Sequence, residues 1–417
     1  MAGGPILRPV VVDEGRELRR FLLPSVLLLS TAVSFGCLMI VDPAAGTPAA
    51  RTRIQDDGFF PPPAPVEVEH EPDFVSVLDS SAAWLVRHQF PTDGSWSASG
   101  YMQMCPHQAC LGAGREEHSL ALTALAVLAI IESGMCDPRR ARSRDVDFRA
   151  AAEKGIRWLM RQMDDNHCFG RRDGKYLLGH AIATLAMARW GAVTWDALHR
   201  HMAEQGLKFL LRARTRGAGW RYGPEAGATD MTVTGWAMAA VEVCRAIYID
   251  VPENVNGDVA RWLDDVTDPL NYRAGYTARG ERGWKIAGLN DRYDDHETNT
   301  AIALHVRMAI GQEPASASAK GAVWRLSADL PYRNADGLSV DYLYWYHGTQ
   351  ALVRAQREGE VWREWQRRAL DGILPARRRT GCYEGSWDPS DKWGCEGGRV
   401  YATALNTITL AAIERAP

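Results

Sequence analysis

The chain lacks an excess of either charge. Its 417 residues include 48 Lys and Arg against 51 Asp and Glu, a net of −3, which excludes the broad basic footprint of a nucleic-acid binder. Cysteine is scarce, at eight residues. The closest pair, Cys105 and Cys110, has His107 between them but no fourth ligand at finger-like spacing, so the sequence assigns no metal. No cofactor is expected either.

Charge is missing altogether from residues 21–41 (FLLPSVLLLSTAVSFGCLMIV). That length is enough for one helix to cross a bilayer. Arg16, Arg19 and Arg20 precede it and Asp42 follows, so the basic side is expected in the cytoplasm and the rest of the chain outside. The rival reading is a cleaved signal with Ala44-Ala45-Gly46 as the site, but its apolar core would exceed the usual roughly 7 to 15 residues. The expected organisation is a cytoplasmic N-terminus (1–20), a single membrane anchor (21–41), a Pro-rich linker (42–72) and one large extracytoplasmic domain (73–417). Seven prolines, from Pro43 to Pro72, and interspersed acids keep the linker from burying a core.

What is abundant beyond residue 73 is repetition. An aromatic-anchored helical stretch leads into a Gly, Asp or Trp turn, and an Ala/Thr/Leu-rich helical stretch follows. The first copy reads Ala83-Trp84-Leu85, Gly94-Ser95-Trp96 and HSLALTALAVLAII (118–131). Later copies centre on Asp173-Gly174, Gly219-Trp220, Gly283-Trp284, Asp336-Gly337 and Gly385-Ser386-Trp387. About six copies at a spacing of roughly 45 to 75 residues mark stacked helical hairpins that bury their apolar faces on one another. Leu120, Ala124, Val127, Leu128 and Ile131 share a face at helical spacing. Most of the 15 Trp residues fall at repeat-equivalent positions and read first as packing.

In an extracytoplasmic domain the cysteines read as loop-closing disulfides, Cys382 with Cys395 and Cys105 with Cys110. Cys136 and Cys168 form a third candidate pair, while Cys244 on an apolar helix reads as a buried small residue.

From Trp84, the frame Trp-Leu-x-x-x-Gln89-x-x-x-x-Gly94-x-Trp96 resembles the glutamine–tryptophan turn of squalene and hopene cyclases. The third and last copies keep the frame with Arg214 and Arg378 in place of the glutamine. Residues 217–241, 341–352 and 385–410 resemble bacterial prenyltransferase/squalene-oxidase repeat proteins. The resemblance implies an all-α fold, an (α/α)6 toroid with inner and outer helices alternating around a central cavity.

It does not carry that group's chemistry across. The Asp-x-Asp-Asp run by which such cyclases protonate a polyprene is absent; Asp291-Arg292-Tyr293-Asp294-Asp295 has one residue too many. The zinc ligands of the protein prenyltransferases are not matched either, since no cysteine stands near Asp295, His296 and Glu297. What remains is a set of polar residues at the starts of the inner segments. Asp294, Asp295 and His296 are the candidate catalytic or proton-relay group. His118, His180, Asp230, Glu297, Asp341, His347 and Tyr401 are cavity candidates, with Tyr344 and Trp345 from the aromatic run Tyr342–Tyr346. Helix capping selects acids at the same positions with no function at all, and both readings stay open here.

The expected function is binding of an apolar, isoprenoid-like ligand or a protein partner, without polyprene-cyclase chemistry. The enzyme alternative is a terpene cyclase/mutase-like or prenyl-handling activity using Asp294, Asp295 and His296. A third class, a glycan-active (α/α) barrel, requires two carboxylates facing each other across a groove.

Overall fold

The structure, a computed structural model, describes residues 73–416 except 107–109, 224–227 and 284. The calls on the N-terminal segment, the anchor and the whole linker, and on His107 and Trp284, lie outside the described residues. Among the described residues, no helix is long and apolar enough to cross a membrane.

Among the described residues, twelve α-helices alternate between two rings. The outer ones are α1 (Phe74–Arg87), α3 (Phe148–Arg161), α5 (Ala197–Arg212), α7 (Asn254–Val266), α9 (Ala317–Ser327) and α11 (Glu360–Ile373). The inner ones are α2 (Ser119–Glu132), α4 (Tyr176–Thr194), α6 (Met231–Ala246), α8 (Thr298–Ala309), α10 (Tyr342–Ala355) and α12 (Gly394–Arg415). Each inner helix packs on the next, and α12 returns to α2, which closes the ring. The all-α toroid read from the sequence is therefore the observed fold.

The two helix classes differ as their positions require. Outer α3 buries Phe148, Ala151, Ala152, Gly155, Ile156 and Leu159, a single stripe at helical spacing. Inner α2 is buried from Ala121 to Ile130 on every side, as a helix enclosed by neighbours must be.

The turns between rings follow one rule. The indole of Trp96 donates to Leu85 O (2.8 Å), that of Trp220 to Leu210 O (2.7 Å) and that of Trp387 to Ile373 O (2.7 Å). Each closes off the end of the preceding outer helix. The backbone N–H of the same tryptophans donates to a threonine hydroxyl on the next inner helix: Thr123, Thr234 and Thr403. These threonines join turn to ring. In the second copy Phe169 N donates to His180 Nδ1 (3.0 Å), and in the fourth Ala274 N donates to Thr300 Oγ1 (3.1 Å). The turn positions there are thus Phe169 and Ala274, rather than Asp173-Gly174 and Gly283-Trp284.

The glutamine and arginine of the turn frame bind one repeat to the next. Gln89 donates to Gly94 O and Ala151 O, both at 2.9 Å. Arg214 reaches Ala218 O and Asp258 on α7. Gly94 holds φ +88°, and a Cβ there would lie 2.6 Å from Lys154 O. Gly94→Ala is therefore expected to destabilise by about 1–3 kcal/mol, through the left-handed backbone and the overpacked contact together. Urea unfolding followed by circular dichroism measures it.

The expected disulfides are not formed. Cys105, Cys110, Cys136, Cys168, Cys244, Cys382 and Cys395 are all unbonded. Cys395 lies in the first turn of α12. Cys382 sits in a short 3-10 turn (Gly381–Tyr383) that turns its thiol toward His88 at the end of α1.

Candidate functional site

The inner helices line a cavity of about 150 Å³ that opens at one end of the ring. Its floor is apolar, from Leu122 and Leu125 (α2), Leu178 and Ile182 (α4), Trp236 (α6) and Leu343 (α10). Beneath it the ring axis is filled. Trp236 stacks on Tyr346 (5.2 Å, 10° between planes), and His347 packs against both rings. At the opposite end Glu132 pairs with Arg189 and Arg415, and Glu242 with Arg354.

The mouth is polar, and a break in α12 builds half of it. Gly398 adopts φ 64°, ψ −164° inside the helix, which only glycine takes without strain. The turn before it crosses the segment leading into α2, where Arg115 N donates to Glu396 O (2.8 Å). Glu396 thereby meets His118 Nε2 at 2.9 Å and Arg115 Nε at 3.1 Å. The His118 contact, ahead of the opposing effect of burial, holds the Glu396 carboxyl below its usual range. Lys175, Arg282 and Lys392 add positive charge to the lining, and the hydroxyls of Tyr222 and Tyr276 share a hydrogen bond of 2.7 Å.

Two buried acids stand just behind this lining. Asp391 Oδ2 accepts from Tyr401, whose ring lines the cavity (3.1 Å), and from Tyr342 N (3.3 Å). Its Oδ1 is buried with no hydrogen-bond partner among the described residues. Burial, and next the Asp341 carboxylate, push Asp391 up to about 7, so it keeps its proton until the pH approaches neutrality. Asp230 caps α6 by accepting from Val233 N (2.9 Å), and burial raises it to about 6.

Of the residues singled out from sequence, His118, Asp341 and Tyr401 line the cavity. Asp341 also caps α10, accepting from Tyr344 N (2.9 Å). The others serve packing. His180 is fully buried, accepting at Nδ1 from Phe169 N and donating from Nε2 to Gly206 O. His347 is buried against His305, their Nδ1 atoms 3.1 Å apart. Tyr344 donates to Asp329 O, and Trp345 packs against Tyr342 and Gly372. Glu297 is held by Arg273, Arg325 and Thr300. Burial alone would raise its pKa, and these partners outweigh that and lower it.

Asp294, Asp295 and His296 do not converge. Asp294 accepts from Tyr332 at the surface, and Asp295 pairs with Lys285 (3.1 Å) and Lys392 (3.4 Å). His296 lies between Asp329 Oδ1 and Ser339 O, both at 2.9 Å, with its ring stacked on Tyr344. Burial pulls the His296 pKa down, but Asp329 outweighs it and the net direction is up. This is an ion-paired structural histidine.

Sequence reasoning missed Glu396, Lys175, Lys392, Asp391, Trp236 and the Tyr222–Tyr276 pair. Asp391 and Glu396 fall inside the 385–410 stretch that resembles the repeat proteins, and Tyr222 follows the Gly219-Trp220 turn. Those locations were the available signal.

The fold and site define an α/α toroid with an apolar central cavity and a charged mouth. No protein-family model matches the chain, and no curated protein is similar to it. Solved structures share the fold. The α-1,6-mannanase GH76A of Salegentibacter sp. HEL1_6 is 12% identical with a TM-score of 0.57, over 83% of this chain and 100% of its own. The cellobiose 2-epimerase of Bacillus thermoamylovorans B4167 is 11% identical with a TM-score of 0.54, over 82% and 98%. The type II terpene cyclase MstE of Scytonema is 13% identical with a TM-score of 0.51, over 82% and 98%. The toroid is thus one on which glycosidases, epimerases and terpene cyclases are all built.

Proposed function

We propose that this chain is a membrane-anchored extracytoplasmic protein that holds an amphiphilic, isoprenoid-like ligand in its central cavity. The observation that carries the reading is the division of the lining. Leu122, Leu125, Ile182 and Trp236 offer an apolar floor, while Lys175, Arg282 and Lys392 offer cations at the mouth. A floor of that kind takes a hydrocarbon body and those cations take a polar or anionic head. The uncharged span 21–41 after Arg19 and Arg20 supports the anchor. A glycan reading gains less support, because Asp341 caps a helix and Glu396 is paired with Arg115 and His118.

A titration of detergent-solubilised full-length chain with a labelled C20 prenyl diphosphate tests the pocket. Saturable binding is expected, weakened about tenfold or more when Lys175 and Lys392 are both changed to Gln, since each head-group contact contributes about 1–3 kcal/mol. Asp294→Asn, remote from the cavity, should leave the affinity unchanged. Binding insensitive to the lysine changes would contradict this placement. For the anchor, the purified protein should retain residues 1–45; a mature chain starting near residue 45 would contradict it.

One observation favours a second reading, acid–base chemistry on the bound ligand. Asp391, about half protonated at pH 7, bonds Tyr401 on the cavity wall and can give or take a proton there. New product from a polyprene or prenyl diphosphate, lost in Asp391→Asn and in Tyr401→Phe, would establish that reading over simple binding. Unchanged substrate would leave the binding reading standing.

A further inference from the structure

At the seam where the ring closes, four soft ligand side chains meet that the cavity does not use. His88 ends α1, Cys105 and Cys110 flank the loop after it, and Cys382 comes from the turn before α12. One ligand atom from each lies within 4.8 Å of all the others. His88 Nε2 is 3.1 Å from Cys105 Sγ and 3.5 Å from Cys382 Sγ. We propose that His88, Cys105, Cys110 and Cys382 bind one zinc ion in a closed four-coordinate site that ties the first hairpin to the last.

The geometry suits that ion. With Zn–S near 2.3 Å and Zn–N near 2.0–2.1 Å, a tetrahedron sets its N and S corners about 3.5 Å apart and its S corners about 3.8 Å apart. The two His88–cysteine separations, 3.1 and 3.5 Å, lie close to the N–S value, and every other pair falls within 4.8 Å. Three thiolates and an imidazole are a soft set, which selects zinc over magnesium or calcium. With all four positions filled by protein, the site is structural rather than catalytic.

The histidine is set up for the role by its own helix. Nδ1 lies 2.8 Å from Trp84 O. A carbonyl only accepts, so Nδ1 carries the proton and Nε2 presents its lone pair to the three sulfurs. That arrangement is how an outer contact fixes the tautomer of a metal-binding histidine. Trp84 also stacks on the ring at 4.1 Å, and Tyr101 packs edge-on to it, leaving little room for rotation. Binding zinc releases three thiol protons and leaves a net charge of −1, which the nearby Arg87 and Arg399 offset.

The sequence hid this site because its ligands are far apart in the chain. Cys105 and Cys110 were visible as a pair, but the two remaining ligands lie before and far beyond them, and Cys382 arrives only when the ring closes.

The test is elemental analysis of full-length chain purified with reductant and no chelator, alongside thiol mapping. About one zinc per chain is expected, lost in Cys110→Ser and in Cys382→Ser but retained in Cys136→Ser. Should the ligand variants fail to fold, wild-type protein stripped of metal and titrated with cobalt(II) should give thiolate-to-cobalt charge-transfer bands that saturate at one equivalent. Three outcomes would overturn the site. These are no such bands on reduced wild-type protein, zinc retained in a folded Cys110→Ser/Cys382→Ser variant, or a disulfide among Cys105, Cys110 and Cys382 in metal-free native protein.

Discussion

Asp391→Asn is expected to raise the melting temperature by several degrees at pH 8 and to change it little at pH 4. Folding lifts this carboxyl from 3.8 to about 7, so between those values the folded chain binds a proton that the unfolded chain has released. Stability from this group is fully present below about pH 4 and is lost as pH rises through 7. A shift of about three units corresponds to at most about 4 kcal/mol, and about 2–4 kcal/mol is the expected gain for the neutral amide at pH 8. The amide keeps an acceptor for Tyr342 N or Tyr401, and it removes the charge that Asp341 opposes. Buried histidines act in the reverse direction. His180 is held near 4 and His347 near 3 by burial, so they remain neutral when folded, and their contribution is lost as pH falls below 6.5. Wild type and variant share that acid limb. The difference between their thermal melts, measured by calorimetry from pH 4 to 8, therefore reports Asp391, and a difference independent of pH would contradict its proton-bound state.

Trp220→Ala should be the most damaging single change among the turns. The indole is fully buried, and its removal is expected to cost about 3–5 kcal/mol in lost burial and cavity formation. Its hydrogen bond to Leu210 O (2.7 Å) is lost as well, leaving the end of α5 without that partner. Trp220→Phe keeps most of the volume but not the donor, and about 1 kcal/mol is expected for that change alone. Equilibrium urea unfolding separates the two. Equal costs for Ala and Phe would mean that the hydrogen bond, not the packing, fixes the turn.

The ring was readable because each hairpin repeats a local rule. Helical spacing in residues 120–131, the Gly-x-Trp turns and the Gln89, Arg214 and Arg378 frame each depend on a few neighbouring residues, and each appears in the structure as read. Where a copy departs from the frame, the reading slipped. Phe169 and Ala274 take the turn positions without a tryptophan, and His180 substitutes for a threonine, so neither was visible as an equivalent.

The site was less legible, since a cavity is assembled by parts of the chain that do not know of one another locally. Asp230 and Asp341 sit at helix starts, where capping and chemistry select the same residue type, and both do cap. Glu396 reaches His118 only because α12 breaks at Gly398. Asp294, Asp295 and His296 are adjacent in sequence, but each meets a different partner. Adjacency in the chain did not bring them to one place, whereas the cavity lining is drawn from helices across the ring.

The cavity is proposed here as a ligand site. Mass spectrometry of small molecules that co-purify with the detergent-extracted full-length chain tests that most directly, with Ala121→Trp as the comparison. Ala121 lines the cavity from α2, and an indole there fills the space above Leu122 and Leu125. An amphiphile of isoprenoid type should accompany the wild-type protein and be missing from a folded Ala121→Trp variant. The same lipids in equal amounts from both proteins, or none from either together with no saturable prenyl binding, would contradict it.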